Sequence, residues 1–203
     1  MRIGIDFDNT IVCYDRVFHL VASEQDVIPA DLPITKERVR DHLRAVGQEP
    51  VWTAMQGYVY GQRMADVDPF PGVLDFLRAC CAQGIEVFIV SHKTRTPYLG
   101  PPYDLHAAAL GWMEQRGLFD PAGINLPRER VFLEPTKKDK LARIGALGCT
   151  HFIDDLPEFL AEEEFPKGVK RLLFAPVEPK SVDPALTRCA SWAEISQMLL
   201  GGA

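Results

Sequence analysis

The chain has 203 residues, 47% hydrophobic and 25% charged, which suits one core carrying an insertion better than two independent domains. A formal net charge of −6 argues against a nucleic-acid polymer or an anionic membrane as partner, because either needs a basic face. No apolar run approaches the roughly 20 residues that cross a bilayer, and Asp6 interrupts the first apolar stretch too early for a signal peptide. The five cysteines are odd in number and form no CxxC pair, so neither a disulfide framework nor a zinc site is expected. Free thiols fit a reducing cytoplasm, which is the expected compartment.

The first predicted strand is Ile3 to Phe7, and it runs into Asp6-Phe7-Asp8-Asn9-Thr10. Period-two geometry places Asp6 and Asp8 on one side of that strand. Strand patterns then disappear until Asp68. Residues 14–25, 35–46 and 51–66 read as helices with proline- and aspartate-rich breaks, the composition of an α-helical cap inserted after the first strand. Within it, Trp52, Tyr58 and Tyr60 fit a cap core better than a ligand site, and Arg63 is a candidate clamp for a second anionic group.

Pro71 and Gly84 punctuate an amphipathic helix over about 73–83, followed by the apolar strand Glu86-Val87-Phe88-Ile89-Val90 and then Ser91. A proline-rich connection runs from Ser91 to Tyr103, longer than a strand-to-helix link requires. His92, Lys93, Arg95 and Tyr98 on this connection are candidates to line a substrate site. Helices at about 104–116, 137–147 and 190–200 alternate with strands at 130–133, 151–153 and 171–174. Alternating strands and helices imply an α/β fold with a parallel sheet, whose ligands bind at the carboxyl ends of the strands. The expected division is a core of residues 1–12 and 69–203 with a cap of 13–68.

Asp154-Asp155 ends the strand His151-Phe152-Ile153, so two acidic pairs emerge on one sheet edge. Converging carboxylates repel unless a cation lies between them, and magnesium suits carboxylate, carbonyl and water ligands. Ser91 offers a hydroxyl on the same edge. Lys137, opening the helix after the third strand, brings an ammonium and a helix N-terminus toward an anion, with Lys140 as the alternative lysine. A cation site, a hydroxyl and an ammonium together describe a phosphate pocket.

With these four motifs in order, and Pro69-Phe70-Pro71-Gly72-Val73 returning from the insert, the chain resembles the haloacid dehalogenase superfamily. The resemblance implies a Rossmann-like sheet sandwiched by helices. It implies Asp6 as a nucleophile that forms an aspartyl-phosphate and Asp8 as the acid and then the base. Thr10, Ser91, His92 and Lys137 would bind phosphate. Magnesium would be held by Asp6, the Asp8 carbonyl and Asp154, with Asp155 acting through water or bracing the lysine. The activity implied is a magnesium-dependent phosphomonoesterase acting on a small phosphorylated metabolite. A phosphomutase or phosphotransferase keeps the same aspartates, and a non-catalytic module that binds a phosphometabolite is a further alternative. Asp8 argues against dehalogenation, which has no alkoxide to protonate.

Overall fold

The computed structural model describes residues 1–179, 181 and 183–201, so positions 180, 182, 202 and 203 of the expected core span lie outside the described residues. In chain order the strands are β1 (Arg2–Ile5), β2 (Val12–Cys13), β3 (Asp68–Pro69), β4 (Glu86–His92), β5 (Val131–Glu134), β6 (His151–Asp154), β7 (Lys170–Phe174) and β8 (Thr187–Cys189). The helices are α1 (Asp15–Glu24), α2 (Lys36–Ala45), α3 (Glu49–Gly61), α4 (Val73–Ala82), α5 (Leu105–Gln115), α6 (Lys137–Ala146), α7 (Pro157–Leu160) and α8 (Trp192–Leu200).

Six strands form one parallel sheet in the order β5-β4-β1-β6-β7-β8. Parallel neighbours need crossover connections, which put helices on the faces and bury the strands on both sides. Val87, Phe88, Ile89 and Val90 are accordingly all buried. Phe88 and Val90 join a cluster with Phe152, Phe159, Leu141 and Ile144, while α4 contributes Val73, Phe76, Leu77 and Cys80 at helical spacing. Phe76 meets Trp192 of α8 at 5.1 Å between ring centroids. Gly4 is required by close packing: a Cβ there would lie 2.5 Å from the Phe152 ring. This is the α/β, Rossmann-like architecture expected from the alternation of apolar runs and helices.

The chain divides into two compact units, Met1–Val12 with Pro69–Lys93 and Gly117–Ala203, and Cys13–Asp68 with Thr94–Arg116. The second unit is mainly helical and contains α1, α2, α3 and α5. Residues 94–116 therefore group with 13–68 and not with the core span to which the sequence reading gave them. The cause is visible on α3. Gly57 and Gly61, one turn apart, leave a smooth track on which Pro97 and Tyr103 rest; a Cβ at either glycine would come within 2.7 Å of those rings. Trp112 of α5 donates its indole N–H to the Val67 carbonyl at 2.8 Å. Trp52 is buried and packs on Phe18 at 4.9 Å, and Tyr60 packs on Tyr14 at 4.8 Å, so these aromatic residues form the core of that unit.

Four elements escaped the sequence reading. Strands β2 and β3 are two residues each and pair as a ribbon. Strand β8 has three residues with Arg188 in its middle, and α7 has four. Elements this short carry too little periodicity to stand out.

Candidate active site

β1 ends at Ile5, earlier than its apolar run predicts, and Asp6 to Thr10 form a loop beyond it. The Asp6 amide still donates to the Ile153 carbonyl of β6 at 2.9 Å, which fixes Asp6 at the carboxyl edge of the two central strands. After that the chain curls. Asn9 takes φ 55, and the Ile11 and Val12 amides both donate to the Phe7 carbonyl. Asn is among the few residues that adopt this left-handed conformation readily. Asp6 and Asp8 therefore do not share a strand face, as period-two geometry suggested; they engage different lysines.

Asp6 and Asp154 are buried, and between them lies Lys140, its Nζ 2.6 Å from Asp6 Oδ1 and 2.6 Å from Asp154 Oδ2. The other Asp154 oxygen accepts the Leu156 amide at 2.9 Å, a short local turn that aims the carboxylate. Asp155 completes a group in which one oxygen from each of Asp6, Asp154 and Asp155 lies within 4.8 Å of the others. Thr10, also buried, makes a long 3.4 Å contact from Oγ1 to Asp155 Oδ1 and accepts the Trp192 indole N–H at its carbonyl.

The lysine that the structure brings to Asp6 and Asp154 is Lys140, not Lys137. Thr136 caps α6 by accepting the Asp139 amide, so Lys137 is the first helical residue and stands exposed. Three residues further on the helix has risen about 4.5 Å. Helical side chains lean back toward the N-terminus, so a long side chain from that position returns to the strand ends. Phe152 and Phe159 flank the Lys140 ammonium, with ring centroids at 5.4 Å and 4.2 Å.

Burial pushes the Asp6 carboxyl up, the Lys140 ammonium pulls it down, and the Asp154 and Asp8 carboxylates push it up again, leaving it at about 7. For Lys140, burial works against the charge, but the Asp6 and Asp154 carboxylates outweigh it and hold the group protonated. When ionised, Asp6, Asp8, Asp154 and Asp155 carry four negative charges against the two ammonium groups of Lys140 and Lys93. A hard divalent cation among three of those carboxylates matches this excess, so the donor set fits a metal ion of the oxygen-seeking class.

Ser91 and Lys93 continue the two-residue alternation of β4 inward, while His92 between them is exposed. The Ser91 hydroxyl is buried without a hydrogen-bond partner among the described residues, an unusual state for a buried polar atom. Lys93 is 4% exposed and pairs with Asp8, at 3.0 Å to Oδ1 and 2.8 Å to Oδ2. His92 donates through Nε2 to the Pro135 carbonyl at 3.2 Å, and burial lowers its pKa. Arg63 and Arg95 belong to the second unit. Within the second unit Arg63 pairs with Glu24 and Asp66, which raise its pKa. Arg95 is exposed and pairs with Asp104 at 2.9 Å.

The fold and this acidic edge define a haloacid-dehalogenase-like fold. Sequence comparison finds no matching family model and no matching curated protein. Structural comparison finds many solved relatives at low identity. The chain is similar to Mycobacterium tuberculosis protein tyrosine kinase A, with a TM-score of 0.60 and 15% identity over 98% of this chain and 97% of the other. It is also similar to a HAD family hydrolase from Deinococcus radiodurans, determined with bound phosphate and sodium, at a TM-score of 0.55 and 16% identity over 98% and 95%. L-2-haloacid dehalogenase from Xanthobacter autotrophicus matches at a TM-score of 0.52 and 12% identity over 100% and 99%. A hydrolase, a kinase and a dehalogenase share this architecture, so the fold alone does not set the chemistry, which lies in the site.

Proposed function

We propose that this protein is a magnesium-dependent phosphomonoesterase acting on a small phosphorylated metabolite through an aspartyl-phosphate on Asp6. The observation that carries this reading is the Ser91 hydroxyl, buried without a partner among the described residues, on the strand next to the one that delivers Asp6. A buried donor of this kind costs free energy unless an acceptor satisfies it, and a phosphoryl oxygen is such an acceptor. The bound phosphate in the Deinococcus radiodurans relative supports the same occupant.

In the first half-reaction an Asp6 oxygen attacks phosphorus while the bond to the leaving oxygen breaks. Asp8 gives that oxygen its proton, so the product departs as an alcohol. In the second, a water oxygen attacks the same phosphorus, Asp8 takes the water proton, and the bond to Asp6 breaks to release phosphate. Lys140 holds Asp6 in place and balances charge as it builds on the phosphoryl oxygens. Magnesium, with Asp6, Asp154, Asp155 and the Asp8 carbonyl as its ligands, would neutralise the incoming phosphate and so reduce its repulsion of Asp6.

The test is a panel of phosphorylated metabolites assayed for released phosphate with magnesium, with chelator, and with Asp6→Asn. Turnover that requires both the metal and Asp6 is expected. Transfer to an added acceptor sugar phosphate with little free phosphate would replace the reading with a phosphotransferase. Binding without turnover across the whole panel would replace it with a sensing module.

A further inference from the structure

The sequence makes Lys93 a candidate to line a substrate site, but its surroundings give it a different task. In the proposed reaction Asp8 must aim one oxygen first at the leaving group and then at water. The terminal torsion of an aspartate is broad, so a carboxylate on a loop does not hold one direction by itself. Asp8 is on such a loop, between the end of β1 and the left-handed Asn9. Lys93 engages both Asp8 oxygens, at 3.0 and 2.8 Å, which restricts rotation of the carboxylate.

Lys93 is itself well fixed. Its amide donates to the Glu134 carbonyl at 2.8 Å, extending the pairing of β4 with β5 by one residue. Its ammonium lies 5.8 Å from the Phe7 ring centroid, and the residue is 4% exposed. A lysine on a firm strand end is thus clamped to an acid on a curled loop. A surface pair free to exchange with water would impose no such constraint.

We propose that Lys93 is a positioning residue for Asp8, orienting its carboxylate for proton transfer in both half-reactions without touching the phosphoryl group. The inference rests on the phosphatase reading. It separates two lysines that are equally buried: Lys140 serves the nucleophile, and Lys93 serves the proton-transfer group.

The experiment compares wild type, Lys93→Met, Lys93→Arg, Asp8→Asn and the double variant Asp8→Asn/Lys93→Met, with saturating magnesium. The substrates are the best metabolite from the panel and para-nitrophenyl phosphate, whose leaving group needs no proton. For the metabolite, Lys93→Met should lower kcat by about 10- to 100-fold with KM within about twofold, and Lys93→Arg should recover part of the loss. For para-nitrophenyl phosphate, the initial burst of nitrophenolate should keep its rate in Lys93→Met, while the steady state that depends on water activation slows. In the Asp8→Asn background the lysine change should cost less than about another twofold. The double variant removes both charges of this pair together, so neither is left facing the lost charge of the other.

A slowed burst, or a full further loss in the Asp8→Asn background, would show Lys93 acting on the phosphoryl group directly and overturn the proposal. Unchanged kcat in Lys93→Met would overturn it as well. Absence of turnover by wild type on every substrate is a different failure: it removes the phosphatase reading and the positioning role together.

Discussion

The carboxyl edge of the first unit and the outer surface of the helical unit use the same chemistry, basic side chains paired with carboxylates, to opposite ends. At the edge, the side chains of Lys140, Asp6 and Asp154 are at most 7% exposed, and neither carboxylate can exchange its partner for bulk water. On the helical unit, Arg44 with Glu49 and Arg95 with Asp104 stand largely in solvent. Water screens the surface pairs, and holding two long side chains together offsets most of what remains. At the edge, the low dielectric makes each missing partner expensive. Burial, not the number of ion pairs, sets how much each pair contributes.

Asp6→Asn should lower turnover by about ten-thousandfold or more, because the amide is no nucleophile, yet melt close to wild type since Lys140 keeps Asp154. Near wild-type phosphate release by Asp6→Asn would remove Asp6 from the role of nucleophile. Lys140→Met should cost about 3–5 kcal/mol in denaturant unfolding of metal-free protein, by leaving two buried carboxylates unpaired. Adding Asp6→Asn to Lys140→Met should recover part of that loss; a strictly additive double variant would mean the pair is not coupled.

A smaller effect is expected at the acidic group. Asp154→Ala should raise the magnesium needed for half-maximal activity by about tenfold or more, and further than Asp155→Ala does, since Asp154 is wholly buried between Lys140 and its own turn. A metal titration giving the reverse order would exchange the two roles. Last, Arg95→Ala should leave the melting temperature within about one degree of wild type, because the Arg95–Asp104 pair is exposed. A larger drop would show that the 94–104 segment depends on this pair more than on the packing of Pro97 and Tyr103.

Much of the sheet was legible because buried parallel strands write themselves as short apolar runs, as in Val87-Phe88-Ile89-Val90. Asp6 and Asp154 could be placed because each directly follows such a run. Lys140 could not be chosen over Lys137 from periodicity, since residues 137, 140, 141 and 144 all fall on one helix face. The deciding facts were the cap at Thr136 and the backward lean of helical side chains. A signal for Lys93 was present: it stands two residues after Ser91, on the same side of the continuing strand. The basic, proline-rich run after it read as a loop and hid that alternation. The partnership of residues 94–116 with 13–68 was beyond the sequence because it depends on two glycines of α3, whose only contribution is to leave room.

The position of β1 in the sheet also governs how the protein is made. Arg2 pairs with Glu86, and Ile3 with His151, so β1 has both of its neighbours far along the chain. Pairings so distant in sequence form slowly, because a long loop must close before any contact repays it. Until about residue 154 has emerged, Ile3, Ile5 and Phe7 have only part of their cover, and the acidic centre lacks Asp154 altogether. The acidic centre is therefore complete only once β6 has joined β1, a pairing that closes a long stretch of chain.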